Sequence, residues 1–111
     1  MKSNRISKRK FINEIIKRIE SRFKDTIVIW RGTGIPDEIY DDTEVFEALW
    51  VPLEDHELFR NFVWNLQESY AEPNGCTIMV DSLSPEITKE FRWREYQEGI
   101  ARRKLVKAEA G

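Results

Sequence analysis

The chain of 111 residues has few of the side chains from which reactive centres are built: it contains one cysteine, Cys76, and one histidine, His56. A single cysteine excludes an intramolecular disulfide and favours a reducing compartment. Zinc sites need several imidazole or thiolate ligands, so no zinc site is expected. We interpret the pair as a surface histidine and a core cysteine, with a catalytic His56–Cys76 pair as the alternative. We therefore expect no enzyme activity, although catalysis by carboxylates alone stays open.

Long apolar runs are also missing from the sequence. The longest contain four residues, at 27–30 and 48–51, whereas a membrane-spanning helix needs about 20. The basic N-terminus is not followed by the apolar segment of a secretory signal. These absences predict a cytoplasmic protein that makes no use of a membrane.

The charges are sorted along the chain, although the net charge is only −2. Residues 1–25 hold nine basic and three acidic side chains, a charge of +6. Residues 26–75 hold two basic and eleven acidic side chains, a charge of −9, and residues 76–111 are nearly balanced at +1. Opposed fields of this kind govern which charged partners a protein meets, rather than its fold.

Two segments in the first two-thirds of the chain have helical periodicity. Residues 7–24 carry one apolar stripe and one basic face, with Ser7 as the N-cap. Residues 54–71 carry a broader apolar stripe and end at the turn residues 73–75. Trp64 lies well outside this second stripe, which predicts an exposed aromatic side chain on the helix.

A third helix is predicted over about 85–108. Ser84 is its N-cap, Pro85 occupies its first position, and Gly99 predicts a bend within it. This helix carries two apolar lines, so it must meet two surfaces. One line is Trp93, Tyr96 and Ile100, and the other is Ile87, Phe91 and Leu105.

Three short apolar segments predict strands. Residues 26–30 are typical of a strand buried on both faces, and residues 76–80 form another apolar strand. Residues 44–51 could be helix or strand; we favour a strand because the segment is short, aromatic-rich and followed by Pro52. Glycine and proline place a loop over about 32–43.

The order α-β-β-α-β-α predicts a single domain with an α+β fold, a two-layer α/β sandwich with a small three-stranded mixed sheet. The second and third strands should be parallel, joined by a right-handed crossover. The arrangement resembles a truncated ferredoxin-like fold with an extra C-terminal helix, a likeness that carries no functional information. The side chains expected to be nearly fully buried are Ile16, Ile19, Ile29, Phe62, Leu66 and Ile78.

The loop over 32–43 and its flank are acidic through Asp37, Glu38, Asp41, Asp42 and Glu44. The spacing of these carboxylates does not match a calcium-binding loop, so we interpret the segment as solvated and suited to selecting a basic partner. The preceding residues 31–34 resemble a phosphate-binding turn, but the acids that follow would repel phosphate. No cofactor or metal site is predicted.

The leading hypothesis is a non-enzymatic protein–protein interaction module, either a homodimer or a subunit of a heteromeric complex. Its apolar contact would come from Trp93, Tyr96 and Ile100, with Trp64 as a further exposed aromatic, because such residues are enriched at binding hot spots. One alternative is a nucleic-acid-associated protein that uses the basic segments 8–10 and 102–104. Another is an inhibitor or immunity-type protein whose acidic loop blocks a basic site on its target.

Overall fold

The computed structural model describes residues 6–34 and 42–110, and it confirms the small α+β fold with the order α-β-β-α-β-α. Of the segment 44–51, which could have been helix or strand, residues 44–49 belong to a strand, and Trp50 and Val51 follow it. The final helical region is divided in two. The bounds are α1 Lys8–Arg22, β1 Ile27–Thr33, β2 Thr43–Leu49, α2 His56–Leu66, β3 Thr77–Leu83, α3 Pro85–Phe91 and α4 Trp93–Ala110.

The three strands form one mixed sheet with β2 at its centre. β1 is antiparallel to β2, and β3 is parallel to β2 from the Thr43–Thr77 pair to the Leu49–Leu83 pair. The predicted parallel crossover through α2 is therefore confirmed. β2 and β3 are direct neighbours, as expected for a ferredoxin-like arrangement that lacks its first strand, because that strand would otherwise split the crossover.

The main core lies between one face of the sheet and helices α1 and α2. Helix α1 begins where predicted, because the Ser7 hydroxyl accepts a hydrogen bond from the Lys10 backbone N–H at 3.2 Å. The buried side of α1 packs against apolar side chains of β2 and α2. The most deeply buried members of this core are Phe11, Ile15, Ile19, Phe46, Ala48, Val51 and Ala71.

Half of the predicted core is confirmed. Ile19, Leu66 and Ile78 are buried as expected. The prediction was wrong for three other residues, which are only partly buried: Ile16, Ile29 and Phe62. Ile16 and Ile29 line an open groove beside β1, which is an edge strand and has a neighbouring strand on one side only among the described residues. Phe62 lines a surface cleft between α1 and α2.

Strand β1 is longer than predicted and is not buried throughout. It runs to Thr33 through an irregularity in pairing between Trp30 and Gly32, the mark of a β-bulge. Gly32 has φ 127°. Glycine adopts this backbone conformation readily, whereas residues with a side chain rarely do. The glycine that predicted a loop from residue 32 therefore bends a strand instead. Residues 35–41 of the predicted loop lie outside the described residues.

The predicted second helix and strand β3 also differ in detail from the prediction. Residues 54–71 form a 3-10 turn at Leu53–Asp55, helix α2 and a π-helical turn at Gln67–Ala71, not one α-helix. The Gln67 side chain then binds the start of β3, accepting from the Ile78 N–H at 2.9 Å. β3 itself continues to Leu83, three residues beyond the predicted end.

The C-terminal helix breaks at Arg92 and not at Gly99, so the predicted bend was misplaced. Arg92 has φ −135°, and its guanidinium bonds the Glu47 carboxylate on β2 at 2.9 and 3.1 Å. Gly99 instead lets α4 approach the sheet, since a Cβ there would lie 2.5 Å from Ile27 Cγ2. Val28 belongs to the main core, and neighbouring strand residues point to opposite faces, so α4 covers the second face of the sheet.

We predict that Gly99→Ala destabilises the protein by about 1–3 kcal/mol through overpacking against Ile27. Helix propensity alone predicts the reverse, a gain of about 1 kcal/mol. Urea melts of the single variants and of Gly99→Ala/Ile27→Ala measure the coupling, which should be favourable because the smaller residue 27 makes room for the new methyl group. An increase in stability for Gly99→Ala alone would contradict the close approach.

Candidate functional site

Three aromatic rings meet where α4 begins. Trp50 stacks on Tyr96 with ring centroids 5.2 Å apart, and Trp93 stacks on Tyr96 at 5.8 Å. The Lys89 ammonium lies 5.5 Å from the centroid of the Trp50 ring. We call Trp50, Trp93 and Tyr96 the aromatic cluster. The cluster joins the residue that follows β2 to helix α4, which lies much later in the sequence.

The backbone of Trp50 adopts a conformation that tryptophan rarely takes. Its φ is 73°, which costs about 1–3 kcal/mol for a non-glycine residue. Two threonines hold it there: the Trp50 N–H donates to Thr88 Oγ1 at 2.9 Å, and Thr26 Oγ1 donates to the Trp50 carbonyl at 2.9 Å. Both threonines are buried. The strained turn therefore aims the Trp50 ring at α4.

The predicted contact line Trp93, Tyr96 and Ile100 lies on the side of α4 that faces its own chain. The Tyr96 hydroxyl donates to the Asp25 carbonyl at 2.6 Å, and Ile100 is partly buried. Trp93 remains 41% exposed beside the aromatic cluster. Intramolecular packing thus accounts for Tyr96, whereas Trp93 keeps a surface available to a partner.

The second apolar line is the one left open to solvent. Ile87 is 46% exposed, Phe91 is 63% exposed, and Leu105 is exposed as well. Ile87 and Phe91 are four residues apart on α3, so they share one side of that helix. Thr88, the next residue along the helix, is fully buried. The two lines therefore do meet different surroundings, as their spacing predicts.

An ion-pair cluster fastens α4 to the sheet beside the aromatic cluster. The Arg31 guanidinium bonds Glu47 at 2.6 Å and Glu95 at 2.8 Å, and Arg92 also bonds Glu47. The hydrogen bond from Arg92, supported by that from Arg31, lowers the pKa of Glu47 despite its partial burial. The hydrogen bond from Arg31 lowers the pKa of Glu95.

These lowered pKa values predict a stability that declines in acid. The unfolded chain takes up protons near the ordinary glutamate pKa of 4.5, before the folded chain does, so stability falls as the pH drops through and below that value. Glu47→Gln should make this decline shallower, because it removes one of the carboxylates with a lowered pKa. Urea melts between about pH 7 and about pH 3 give the two slopes. Equal slopes would show that the Glu47 ion pairs contribute nothing to the pH dependence of stability.

The two basic segments of the sequence come together around Trp30. A groove of about 540 Å³ lies between α1 and α4 with β1 as its floor, and a second cavity of about 440 Å³ adjoins Trp30 on the α1 side. We call these together the basic groove. Both basic segments are evident in the sequence, but no local signal places Trp30 between them. The charged residues that line the basic groove are Lys8, Arg9, Glu20, Arg102, Arg103 and Lys107.

The other predicted site residues are dispersed. Trp64 is 66% exposed on α2, outside the apolar stripe as predicted. Asp42 is exposed. Asp37, Glu38 and Asp41 lie outside the described residues. The contribution of these acidic residues to partner selection stays a prediction.

The histidine meets a serine and not the cysteine. His56 Nε2 lies 3.0 Å from Ser82 Oγ, while the Cys76 thiol donates to the Asn74 carbonyl at 3.5 Å. Among the described residues, no carboxylate hydrogen-bonds the His56 ring, so the pair lacks the group that orients a catalytic imidazole. The contact ties the start of α2 to β3.

The described residues include no group of three or more histidine, cysteine, aspartate or glutamate side chains placed to share a metal ion. Across residues 6–34 and 42–110, every helix is too short or too polar to cross a bilayer. Comparisons with protein-family models, with characterised proteins and with solved structures found no match.

We predict that Thr88→Val destabilises the protein by about 1–3 kcal/mol, because it leaves the Trp50 N–H without its acceptor. The matched control is Thr43→Val. Thr43 is also buried, but its Oγ1 has no hydrogen-bond partner among the described residues, so the substitution should be neutral or stabilising. Thermal and urea melts of both variants decide the matter. Similar losses at the two positions would contradict the role assigned to Thr88.

Proposed function

We propose that this chain is a non-enzymatic protein-interaction module that associates with a second copy through α3 and the neighbouring face of β3. The observation that carries the proposal is the exposed apolar side of α3. Phe91 and Ile87 stand on one side of a seven-residue helix, and both remain exposed to solvent among the described residues. Large exposed apolar side chains grouped in one place are typical of association surfaces.

The sheet next to α3 extends this surface. Met79 is 41% exposed on β3, and its neighbours along the same face, Thr77 and Asp81, are exposed as well. Ile87 lines a cleft together with Asp81 and Leu83, which places α3 beside that face. Helix α4 covers β1, whereas no helix within the described part of the chain covers the exposed residues of β3 on this face. A second copy could cover it.

Trp93 lies two residues after Phe91 and keeps part of its ring exposed. It supports the proposal as the residue of the predicted contact line that is still accessible, whereas Tyr96 serves the fold. The acidic residues Asp37, Glu38, Asp41 and Asp42 would select a basic partner in the heteromeric and inhibitor hypotheses. We favour self-association over those hypotheses because two large apolar side chains of α3, Ile87 and Phe91, are exposed.

Sedimentation equilibrium over a range of protein concentrations tests this proposal. The wild-type mass should rise with concentration, and Phe91→Glu should weaken association by about 30-fold or more, as loss of a hot-spot side chain does. Leu58→Glu is the matched control, because Leu58 is 47% exposed on α2 and lines a cleft to which α3 contributes no residue. It should associate like wild type. A wild-type protein that stays monomeric, or a Phe91→Glu variant that associates normally, would overturn the proposal.

A further inference from the structure

The basic groove combines residues from the two ends of the chain. Helix α1 contributes Asn13 and Ile16 to one wall, and α4 contributes Arg102 and Lys107 to the other. The edge of β1 forms the floor, from Val28 to Trp30. The groove therefore exists only when α4 is seated on the sheet, and it is distinct from the α3 surface proposed above.

The lining of the groove is positive. Arg9, Arg102 and Lys107 are exposed and form no ion pair with any residue that the structure describes. Arg103 belongs to the fold: it pairs with Glu20 at 3.1 Å and donates to the Lys24 and Thr26 carbonyls. Since Glu20 is neutralised in this way, the charges left over are cations. Such a groove attracts a polyanion.

Trp30 stands in the groove as a fixed, partly exposed ring. It is 39% exposed, and its Nε1–H donates to the buried Glu44 carboxylate at 2.9 Å. The Lys8 ammonium lies 5.5 Å from the ring centroid. Open space adjoins the indole in both parts of the groove. Lys8 also pairs with Glu44 at 4.0 Å. A rigid aromatic ring beside exposed cations is the arrangement on which single-stranded nucleic acids stack their bases.

An extended peptide is a poorer fit, because the exposed edge of β1 is already capped in part. The Val28 N–H donates to Glu20 at 2.8 Å, and the Thr26 carbonyl accepts from Arg103 at 2.6 Å. Strand addition would need these backbone groups to be open. Recognition in the groove must therefore rely on side chains, which suits phosphates and a stacked base.

We propose that the basic groove binds single-stranded nucleic acid, with phosphates at Arg9, Arg102 and Lys107 and one base stacked on Trp30. The inference is independent of the self-association proposed above, since neither Phe91 nor Ile87 lines the groove. It gives a role to the two basic segments that the fold brings together.

Fluorescence anisotropy with a labelled oligothymidylate tests the proposal. The association constant should fall with salt, with a logarithmic slope of about −2 for three phosphate contacts. Arg102→Gln/Lys107→Gln should reduce the slope by about 1.4. Lys17→Gln/Lys24→Gln removes the same charge outside the groove lining and should leave the slope unchanged.

Trp30→Ala should weaken binding by about 5- to 150-fold, the loss of one stacked base. Trp64→Ala, an exposed tryptophan on α2, is the control and should bind like wild type; circular dichroism checks that both variants fold. No binding at low salt would overturn the proposal. So would equally tight binding of polyglutamate, because an acidic peptide has no base to stack on Trp30, or an unchanged slope for Arg102→Gln/Lys107→Gln.

Discussion

The close approach of α4 to β1 is the contact on which the rest of the structure depends. The absence of a side chain at Gly99 lets the helix lie directly on Ile27, and no other residue fits without displacing it. Once the helix is there, Tyr96 reaches the Asp25 carbonyl and Arg103 reaches the Thr26 carbonyl. These bonds hold the C-terminal helix to the turn between α1 and β1. A late segment of the chain is thereby fixed to an early one.

The position of α4 decides which surfaces the protein offers. On one side, it turns Tyr96 inward and leaves Phe91 of α3 in solvent, so the apolar line available to a partner is the one on α3. On its other side, it brings Arg102 and Lys107 opposite α1 and across from Trp30. Basic side chains that are far apart in the sequence, near its two ends, therefore line the same groove. The two proposed surfaces are consequences of one docking event.

The features predicted from sequence were those with local causes. The Ser7 and Ser84 caps, the apolar stripes of α1 and α2, and the short strands follow from residue type and spacing, and the parallel crossover follows from their order. The errors concern residues whose role depends on distant neighbours. Gly99 is explained by Ile27, 72 positions earlier, and the break at Arg92 is explained by Glu47. Ile29 is partly exposed because β1 lies at the sheet edge, which the local pattern cannot indicate.

The candidate site follows the same rule. Periodicity separated the two apolar lines of the C-terminal helix, but it could not tell which one faced the sheet.

Native-state hydrogen exchange tests the docking of α4 most directly. If α4 is seated as described, the amides of Gly99, Ile100 and Arg103 should open with a free energy close to that of Phe46 in the central strand. Exchange of these amides at the rate of an isolated helix, with Phe46 still protected, would contradict the account.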